Sequence, residues 1–490
     1  MNEYDLTIIG GGSAGLVLAV AGAKLGKKTA LVEKHKLGGD CLWTGCVPSK
    51  AFLKSAHIAH HMKTAERFGI TVGGVGIDFQ RVMQHVRSAQ GTIEREHDNP
   101  ERFRELGVDV IFGSGHFDSP RSFIVEDSEK HDTTTLTSKK YVISTGSRPA
   151  APPIPGIESI NYLDSHNVWE IGKLPQTLLV AGAGPIGVEL GQAFHRLGAA
   201  VKIVQRSDRI LPREEHAVSH RMLECLRAEG ISILLNTNLH EVTDAVPNHD
   251  ENRRAPTNGN YSVVLDTRGE KRELTVDQIL IATGRNPNVE GLGLERIGVR
   301  VGKHGIEVNE KLQTSVKNIY AAGDVIGHYL FTHVAAFQAR QIIRNIFFPG
   351  AASIDYAVVP WTIFSDPEVA RCGLTEAEAR RKYGDVDVFT VDFKDVDRAV
   401  AEGETEGFIK IVATKWTGKI LGVHLIGPRA GEILHEFVLA MKVGISLRKL
   451  TSIIHVYPTY SSIVWQVAGK WLAEGTLVNT VRNFLRKSGK

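Results

Sequence analysis

Short apolar runs alternate with glycine turns and amphipathic stretches along this chain, and one such block occurs twice. Residues 4–10 (YDLTIIG) lead into the turn 10–15 (GGGSAG), a helix-like stretch (LVLAVAGAKLG) and a second apolar run (KKTALVE). Residues 178–182 (LLVAG) lead in the same way into GAGPIG, VELGQAFHRLG and AVKIVQR. The order strand, glycine turn, helix and strand therefore predicts an α/β fold with two Rossmann-like dinucleotide-binding domains.

The spacing of the glycines suits dinucleotide binding. Such glycines make a tight turn, let the backbone approach a pyrophosphate and point a helix N-terminus at its charge. One GxGxxG motif is a weak signal, but two copies in matching context favour two cofactor sites. The candidate phosphate-binding glycines are Gly10, Gly12 and Gly15 in the first copy and Gly182, Gly184 and Gly187 in the second.

The residue at the end of the second strand differs between the two copies. An acidic residue at this position hydrogen-bonds a free ribose, and Glu33 holds it in the first copy, which suits FAD. Gln205 holds it in the second copy and is followed by Arg206 and, shortly after, by Arg209. A neutral side chain beside arginines suits a 2′-phosphate, so we expect NADPH rather than NADH. The alternative is that the arginines are simply solvated.

Composition narrows the function classes. The 490 residues suffice for several domains, 42% of them are hydrophobic, and the net charge of +3 predicts neither a nucleic-acid binder nor a polybasic membrane protein. No apolar run reaches the ~20 residues of a transmembrane helix, and the N-terminus does not resemble a signal peptide. We therefore expect a cytoplasmic protein, in which a close cysteine pair is typically catalytic or metal-binding.

Two of the four cysteines, Cys41 and Cys46, form such a pair within GGDCLWTGCVPSK (38–50). In a regular helix these positions would be about 8 Å apart, too far for a disulfide, so residues 41–46 should not form one helix. Pro48 suits the first turn of a following helix, which would place Cys46 at a helix N-terminus with Lys50 one turn further, and both favour a thiolate.

The sequence alone allows three roles for the cysteine pair. A redox pair, a structural disulfide and half of a metal site are the three candidates for Cys41 and Cys46. Zinc normally needs further Cys or His at ligand spacing, and the nearby sequence offers none, so we expect no metal site. Cys225 and Cys372 are isolated in the sequence and are expected to be plain buried thiols.

Together these motifs resemble the flavin-dependent pyridine nucleotide–disulfide oxidoreductases (class I), which include lipoamide dehydrogenase, glutathione reductase and mercuric reductase. The resemblance covers nearly the whole chain. It extends to IYAAGDV (319–325), LFTHVAAFQAR (330–340) and IFSDPEVARCGLTE (363–376). Two further segments, ISTGSRP (143–149) and IATGRNPN (281–288), are similar to each other and are expected to mark where the chain leaves each dinucleotide unit.

The resemblance implies a path for electrons. Hydride would pass from NADPH to FAD, electrons from FAD to a Cys41–Cys46 disulfide, and then on to an acceptor. Cys41 resembles the interchange thiol and Cys46 the thiol beside the flavin, while Lys50 and Glu189 match a pair near the nicotinamide. The further cofactor-binding residues implied are Gly39, Lys50, Thr145, Gly146, Asp324, Gln205, Arg206 and Gly284.

The resemblance also implies a domain order and a homodimer. We expect an FAD-binding domain in two parts (1–155 and 284–352), an NAD(P)-binding domain (156–283), an α+β interface domain (353–470) and a tail (471–490).

Residues 245–260 should be an exposed hairpin loop. The tail is basic and amphipathic, which keeps a membrane-surface role open, although packing on its own domain or on the partner is favoured.

The chain departs from the family at its C-terminal motif. Relatives carry HxHPTxxE, in which the second histidine is the acid–base and the glutamate orients it, whereas this chain has Tyr457 and Ser462 at those positions. Tyrosine, with a pKa near 10, is a poor proton shuttle at neutral pH, although His455 could substitute. We therefore expect slow turnover of thiol disulfides and an acceptor such as a metal ion or a quinone. The alternatives are a lipoamide-dehydrogenase-like enzyme and a redox-sensing flavoprotein module.

Overall fold

The computed structural model describes residues 3–127, 132–244 and 260–487. Most of the predicted hairpin loop at 245–260 thus lies outside the described residues. Contact density divides the chain into two compact units. Unit 1 comprises Met1–Pro175, Glu241–Ser262 and Thr275–Ile354, and unit 2 comprises Gln176–His240, Val263–Leu274 and Asp355–Lys490.

The helices, in chain order, are α1 (Ser13–Lys24), α2 (Gly39–Trp43), α3 (Cys46–Lys63), α4 (Phe79–Glu96), α5 (Pro100–Glu105), α6 (Pro185–Leu197), α7 (His216–Ala228), α8 (Thr332–Phe347), α9 (Glu376–Tyr383), α10 (Asp397–Glu402), α11 (Ala430–Val443), α12 (Leu447–Leu450), α13 (Ser462–Glu474) and α14 (Thr476–Lys487). Short 3₁₀ turns cover Ala65–Phe68, Ile157–Ser159, Asn167–Glu170, Asp324–Ile326 and Phe393–Asp395.

The strands of the first half are β1 (Leu6–Ile9), β2 (Thr29–Glu33), β3 (Val108–Ser119), β4 (Ser122–Asp127), β5 (Asp132–Thr137), β6 (Tyr141–Ile143), β7 (Ser147–Pro149), β8 (Thr177–Ala181), β9 (Ala200–Gln205), β10 (Ser232–Leu235) and β11 (Thr237–Asp244). Those of the second half are β12 (Tyr261–Thr267), β13 (Glu270–Val276), β14 (Gln278–Ile281), β15 (Arg285–Pro287), β16 (Val301–Gly302), β17 (Gly305–Ile306), β18 (Ile319–Ala321), β19 (Trp361–Ile363), β20 (Glu368–Gly373), β21 (Val386–Asp392), β22 (Phe408–Thr414) and β23 (Ile420–Gly427).

Unit 1 is built on a seven-stranded sheet in the order β18-β6-β1-β2-β3-β4-β5. The strands from β18 to β3 run parallel, and β3, β4 and β5 continue as an antiparallel meander. All four residues of β1 are buried, as expected of a parallel strand covered on both faces. This explains why its sequence is an unbroken apolar run.

Unit 2 contains the second glycine block and the C-terminal domain. Strands β8, β9 and β10 pair in parallel, and β19-β20-β23-β22-β21 form a five-stranded antiparallel sheet. The core of the C-terminal domain includes the fully buried Phe393, Phe437 and Trp471. The predicted fold class, two Rossmann-like units followed by an α+β domain, is confirmed.

Both repeats fold as predicted. The first runs β1, α1, β2 and the second runs β8, α6, β9, with each pair of strands in parallel register. In each copy a glycine turn lies between the first strand and the helix. The carboxyl end of the second strand falls at Glu33 in one copy and at Gln205 in the other.

The C-terminal residues from 471 onward form the end of α13 and the whole of α14 rather than one separate segment. The expected tail from residue 471 begins inside α13, where Trp471 is fully buried. The last helix, α14, starts at Thr476, whose hydroxyl donates to Asp387 Oδ1 at 2.6 Å. Val481 and Phe484 on α14 are 49% and 69% exposed. Within the described ranges, no helix has both the length and the apolar character needed to cross a membrane.

Candidate functional site

The first glycine turn leaves no room for side chains. Gly10 has φ +106°, and a Cβ there would lie 2.4 Å from the carbonyl oxygen of Ser144. A Cβ on Gly15 would lie 1.9 Å from the Gly10 carbonyl oxygen, and one on Gly39 would lie 2.7 Å from Gly12 Cα. Helix α1 begins after Gly12 without a side-chain cap or an acidic residue in its first turn. Its N-terminus therefore suits a pyrophosphate.

Glu33 lies beside this turn. Its carboxylate accepts hydrogen bonds from the backbone N–H of Gly11 (Oε2, 2.7 Å) and of His35 (Oε1, 2.8 Å). Two oxygens with four lone pairs leave capacity for ribose hydroxyls. A bare helix N-terminus, a turn without side chains and a carboxylate at the strand end together fit a dinucleotide with an unphosphorylated ribose, as in FAD.

Asp324 lies in a polar cluster of unit 1. Its Oδ2 accepts a hydrogen bond from Ser147 Oγ at 2.7 Å and lies 3.8 Å from Arg285 Nε. Burial raises the pKa of Asp324, while Ser147 and Arg285 oppose the rise. Arg285 also forms an ion pair with Asp40. Neither Arg285 nor Asp40 was singled out from the sequence.

The two similar segments that each contain a proline near their end pair with each other. Strand β7 runs antiparallel to β15, which brings 143–149 against 281–288. Thr145 Oγ1 donates to the carbonyl of Asn288 at 2.7 Å, and Asn288 N–H donates to the carbonyl of Gly146 at 3.0 Å. Gly284 accepts from Ala150 N–H at 3.0 Å. Three candidate cofactor-binding residues thus lie along one hydrogen-bonded pair of segments.

The cysteine pair spans the break between helices α2 and α3. Helix α2 ends at Trp43 and α3 begins at Cys46, so the predictions that 41–46 is not one helix and that Cys46 opens a helix are confirmed. Cys41 is half-buried and Cys46 is exposed. Cys46 Sγ lies 3.3 Å from Thr332 Oγ1. A hydrogen bond with Cys46, together with burial, raises the pKa of Cys41.

Two side chains that were not singled out from the sequence donate hydrogen bonds to backbone carbonyls at the break between α2 and α3. Gln90 on α4 is buried and donates from Nε2 to the carbonyls of Leu42 (3.3 Å) and Trp43 (2.8 Å). Trp169 Nε1 donates to the carbonyl of Thr44 at 3.0 Å. A polar residue on the buried side of an amphipathic helix was the signal that could have identified Gln90.

Lys50 and Glu189 lie in different units and are described within their own surroundings. In unit 1, Lys50 Nζ donates to Ser49 Oγ at 3.3 Å. In unit 2, Glu189 is buried on α6 and its Oε1 accepts from the backbone N–H of Phe364 at 2.9 Å. Further along α6, Arg196 pairs with Glu229 (2.8 Å) and Asp366 (2.7 Å). One face of α6 therefore binds the segment around residues 364–366.

The second glycine turn repeats the design of the first. A Cβ on Gly187 would lie 1.9 Å from the carbonyl oxygen of Gly182, and α6 starts after Gly184 without a side-chain cap. Gln205 Oε1 accepts from the backbone N–H of Ala183 at 3.2 Å, as Glu33 does in the first turn. The surroundings fit a second dinucleotide.

The side of this turn that would face the ribose carries amide and basic groups. Gln205 Nε2 donates to Ser207 Oγ at 2.7 Å. Arg206 is exposed, and Arg209 donates to the carbonyl of Pro212 at 2.6 Å. No carboxylate takes the position that Glu33 takes in the first turn.

Tyr457 is 71% exposed and has a carboxylate partner of its own. Its hydroxyl donates to Asp397 Oδ2 at 2.6 Å, and this hydrogen bond raises the pKa of Tyr457. His455 lies between two acceptors, with Nε2 3.0 Å from Glu436 Oε1 and Nδ1 3.2 Å from the carbonyl of Ile453. Both ring nitrogens are thus already engaged.

The other two cysteines, Cys225 and Cys372, both lie in unit 2. Cys372 is buried, Cys225 is half-buried, and burial raises the pKa of each to about 12. Across residues 3–127, 132–244 and 260–487, no group of three or more His, Cys, Asp or Glu side chains is arranged to hold a metal ion.

Comparison with known proteins covers both units. Residues 4–339 match the family described as pyridine nucleotide-disulphide oxidoreductase, and residues 359–468 match its dimerisation domain. A dihydrolipoyl dehydrogenase of Bacillus subtilis (strain 168) is 34% identical over 474 residues, covering 95% of this chain and 97% of that protein. A mercuric reductase of Staphylococcus aureus is 33% identical over 458 residues, covering 93% and 80%. The Cu(II) complex of the HOCl-induced flavoprotein disulfide reductase RclA from Escherichia coli superposes with a TM-score of 0.82 at 28% identity, covering 96% and 99%.

Proposed function

The chain belongs to the pyridine nucleotide-disulphide oxidoreductase family, and from this premise we propose that it reduces an acceptor other than a thiol disulfide, such as a metal ion or a quinone. The family is FAD-dependent and uses a pyridine nucleotide, and the matched dimerisation domain supports a homodimer. FAD, when bound, supplies the chemistry that couples hydride transfer from the nicotinamide to the two-electron reduction of a disulfide.

The observation that carries the proposal is the surroundings of Tyr457. An acid–base for thiol disulfides has to gain and lose a proton near neutral pH. The hydrogen bond to Asp397 raises the pKa of Tyr457, which moves the phenol further from that range. His455 has both ring nitrogens directed at acceptor oxygens. Tyr457 is therefore poorly suited to protonate a leaving thiol, and the ring of His455 is already held by Glu436 and by the Ile453 carbonyl.

The residues of this chain have distinct roles in the proposal. The turn at Gly10–Gly15 and Glu33 bind FAD, and Asp324 binds its ribityl chain. Cys46 exchanges electrons with the flavin side, while Cys41 passes them to the acceptor. Lys50 and Glu189 position the nicotinamide. A cytoplasmic location is part of the proposal, because structural disulfides are rare there and a close cysteine pair is typically catalytic.

We further propose NADPH as the electron donor. Gln205 presents a neutral side chain that already donates to Ser207 Oγ, and Arg206 is exposed beside it. A 2′-phosphate would meet no carboxylate at position 205 and can pair with the arginine. The alternative, in which Arg206 is solvated and binds no ligand, predicts that NADH and NADPH are used equally well.

Relatives suggest which acceptors to test. The names mercuric reductase and Cu(II) complex favour a metal ion. The main rival is dihydrolipoyl dehydrogenase activity, which the 34% identical relative from Bacillus subtilis favours. The non-enzymatic rival, a redox sensor, has no use for a nicotinamide-side pair such as Lys50 and Glu189.

The test uses the full-length flavoprotein under anaerobic conditions. NADPH is added, the long-wavelength thiolate-to-flavin absorbance is recorded, and turnover is measured with lipoamide, glutathione disulfide, Hg(II), Cu(II) and a quinone. We expect the absorbance band and at least tenfold higher kcat/KM with a metal ion or quinone than with either disulfide. Tyr457→Phe serves as the matched variant and should leave disulfide turnover equally low. Fast lipoamide turnover by the wild type would overturn the proposal, and a sensor would show no sustained turnover with any acceptor.

A further inference from the structure

Helix α14 carries its apolar and its polar residues on separate sides. At about 100° per residue, the apolar side chains fall within about one third of the helix circumference. They are Leu477, Val478, Val481, Phe484 and Leu485. The remaining positions hold threonine, asparagine, arginine and lysine, and the helix contains no aspartate or glutamate. A helix that is apolar on one side and basic on the other is typical of segments that lie in a membrane interface.

The rest of the chain leaves the apolar side of α14 accessible. All residues of this helix are described, and none of them is buried. Leu477 and Val478 in the first turn are half-buried, whereas Val481, Phe484 and Leu485 further along are exposed. Single exposed apolar side chains are common on protein surfaces, but a contiguous apolar surface with a polar rim marks an interaction site.

The start of α14 is fixed to the domain that precedes it. Thr476 donates to Asp387 on β21, from its hydroxyl to Oδ1 at 2.6 Å and from its N–H to Oδ2 at 3.2 Å. Arg482 Nη2 donates to the carbonyl of Ala473 in α13 at 3.0 Å. The apolar side is therefore presented by a helix with a defined direction rather than by a loose segment.

Basic residues border the apolar side at both of its edges. Around the helix axis, Lys487 is about 60° from Phe484 at one edge and Arg482 is about 40° from Val478 at the other. Long basic side chains at such positions extend along apolar surface to reach charged groups. With Arg486, α14 carries three positive charges, although the net charge of the whole chain is only +3. Charge complementarity therefore favours an anionic surface, whereas a twofold contact of α14 with its own copy would bring like charges together.

We propose that α14 docks this enzyme on the surface of an anionic lipid bilayer, with its apolar side among the acyl chains and its basic side chains at the headgroups. The inference goes beyond the proposed function, because it concerns where the enzyme works and holds for any acceptor. A quinone that is dissolved in the bilayer would be available at the same surface.

The test is flotation of the full-length holoenzyme with lipid vesicles on a density gradient. Vesicles of equal parts phosphatidylcholine and phosphatidylglycerol are compared with vesicles of phosphatidylcholine alone, at low and at high salt. We expect binding to the anionic vesicles, roughly tenfold weaker binding to the neutral ones, and weaker binding at high salt because salt screens the basic residues. A wild-type protein that does not float with the anionic vesicles would overturn the inference.

Two double variants separate the contributions of the two sides of α14. Arg482→Gln with Arg486→Gln should lower the partition coefficient about 25-fold, since each basic residue near an anionic surface contributes about fivefold. Val481→Ser with Phe484→Ser should lower it roughly tenfold or more through the loss of apolar area. Both variants should fold, because α14 contributes no buried residue. Wild-type binding by both variants would contradict the assignment of the lipid contact to this helix.

A charge control and two further measurements complete the test. Arg81→Gln with Arg87→Gln removes the same charge from exposed positions on α4 and should bind anionic vesicles like the wild type. Sedimentation velocity without lipid should give one assembly size for all variants. A smaller assembly after Val481→Ser with Phe484→Ser would show that this side contacts a second copy of the chain, which would overturn the inference. Turnover of a water-soluble acceptor should be equal in all samples, and its absence in the wild type would overturn the proposed function while leaving the lipid binding intact.

Discussion

Replacing Gln205 by Glu should reverse the choice of nicotinamide cofactor without disturbing the fold. The first glycine turn accommodates a glutamate at the equivalent position, where Glu33 accepts from the backbone N–H of Gly11 at 2.7 Å, although the substitution would remove the amide hydrogen bonds of Gln205 to Ser207 Oγ and to the Arg209 carbonyl. Gln205 Oε1 accepts from Ala183 N–H in the same way at 3.2 Å, and a glutamate oxygen can take over that bond. The substitution therefore changes the charge and the amide donor of one side chain.

The size of the effect follows from the charge. A carboxylate about 5 Å from a 2′-phosphate repels it by about 1 kcal/mol at the dielectric constant of water and by about 3 kcal/mol at an effective value near 20. At 1.4 kcal/mol per tenfold change, kcat/KM for NADPH should fall roughly 5- to 150-fold. The value for NADH should stay level or rise, because the new carboxylate can accept from its free 2′-hydroxyl.

Steady-state kinetics with one fixed acceptor measures this for both nucleotides. Gln176→Glu is the matched control, since it introduces the same charge at an exposed position just before β8 and should leave the ratio of the two kcat/KM values unchanged. A parallel loss for NADPH and NADH would refute the electrostatic reasoning. A wild-type enzyme that already prefers NADH would contradict the premise that Gln205 favours NADPH.

Two further predictions concern stability. Arg196→Met should lower the free energy of unfolding by about 3 kcal/mol, because the arginine side chain is 3% exposed and its loss removes the ion pairs with Glu229 and Asp366. Urea unfolding measures this change, and Arg380→Met at an exposed pair should cost less than about 1 kcal/mol. Burial lowers the pKa of His424 from 6.5 to about 4, so the unfolded chain takes up the proton first, and stability should fall by up to about 3 kcal/mol between pH 6.5 and pH 4. His424→Gln should flatten this pH dependence in urea midpoints, and an equally steep decline in the variant would show that His424 is not its source.

The dinucleotide units could be predicted from the sequence because their signals are local. The apolar run of β1, the glycines after it and Glu33 at the end of β2 lie close together in the chain. The break between α2 and α3 was equally accessible, since it follows from the reach of two side chains within one short segment. Local geometry alone fixed these features.

The partners of the site residues were not accessible in this way. Asp397 is 60 residues from Tyr457 in the sequence and becomes its hydrogen-bond partner only in the folded domain. Arg285 and Asp40 meet across an even longer separation. The sequence around a charged residue does not show which distant residue it meets in the fold.

The two glycine turns use one backbone N–H and one side-chain oxygen in the same arrangement, with Glu33 in one and Gln205 in the other. Codons for glutamate and glutamine differ by a single base. On the proposed preference for NADPH, one base change is therefore enough to alter the charge that meets the ribose, while the backbone N–H of the turn keeps a side-chain acceptor. Cofactor preference in such an enzyme can follow the metabolism of its host far faster than its architecture can change.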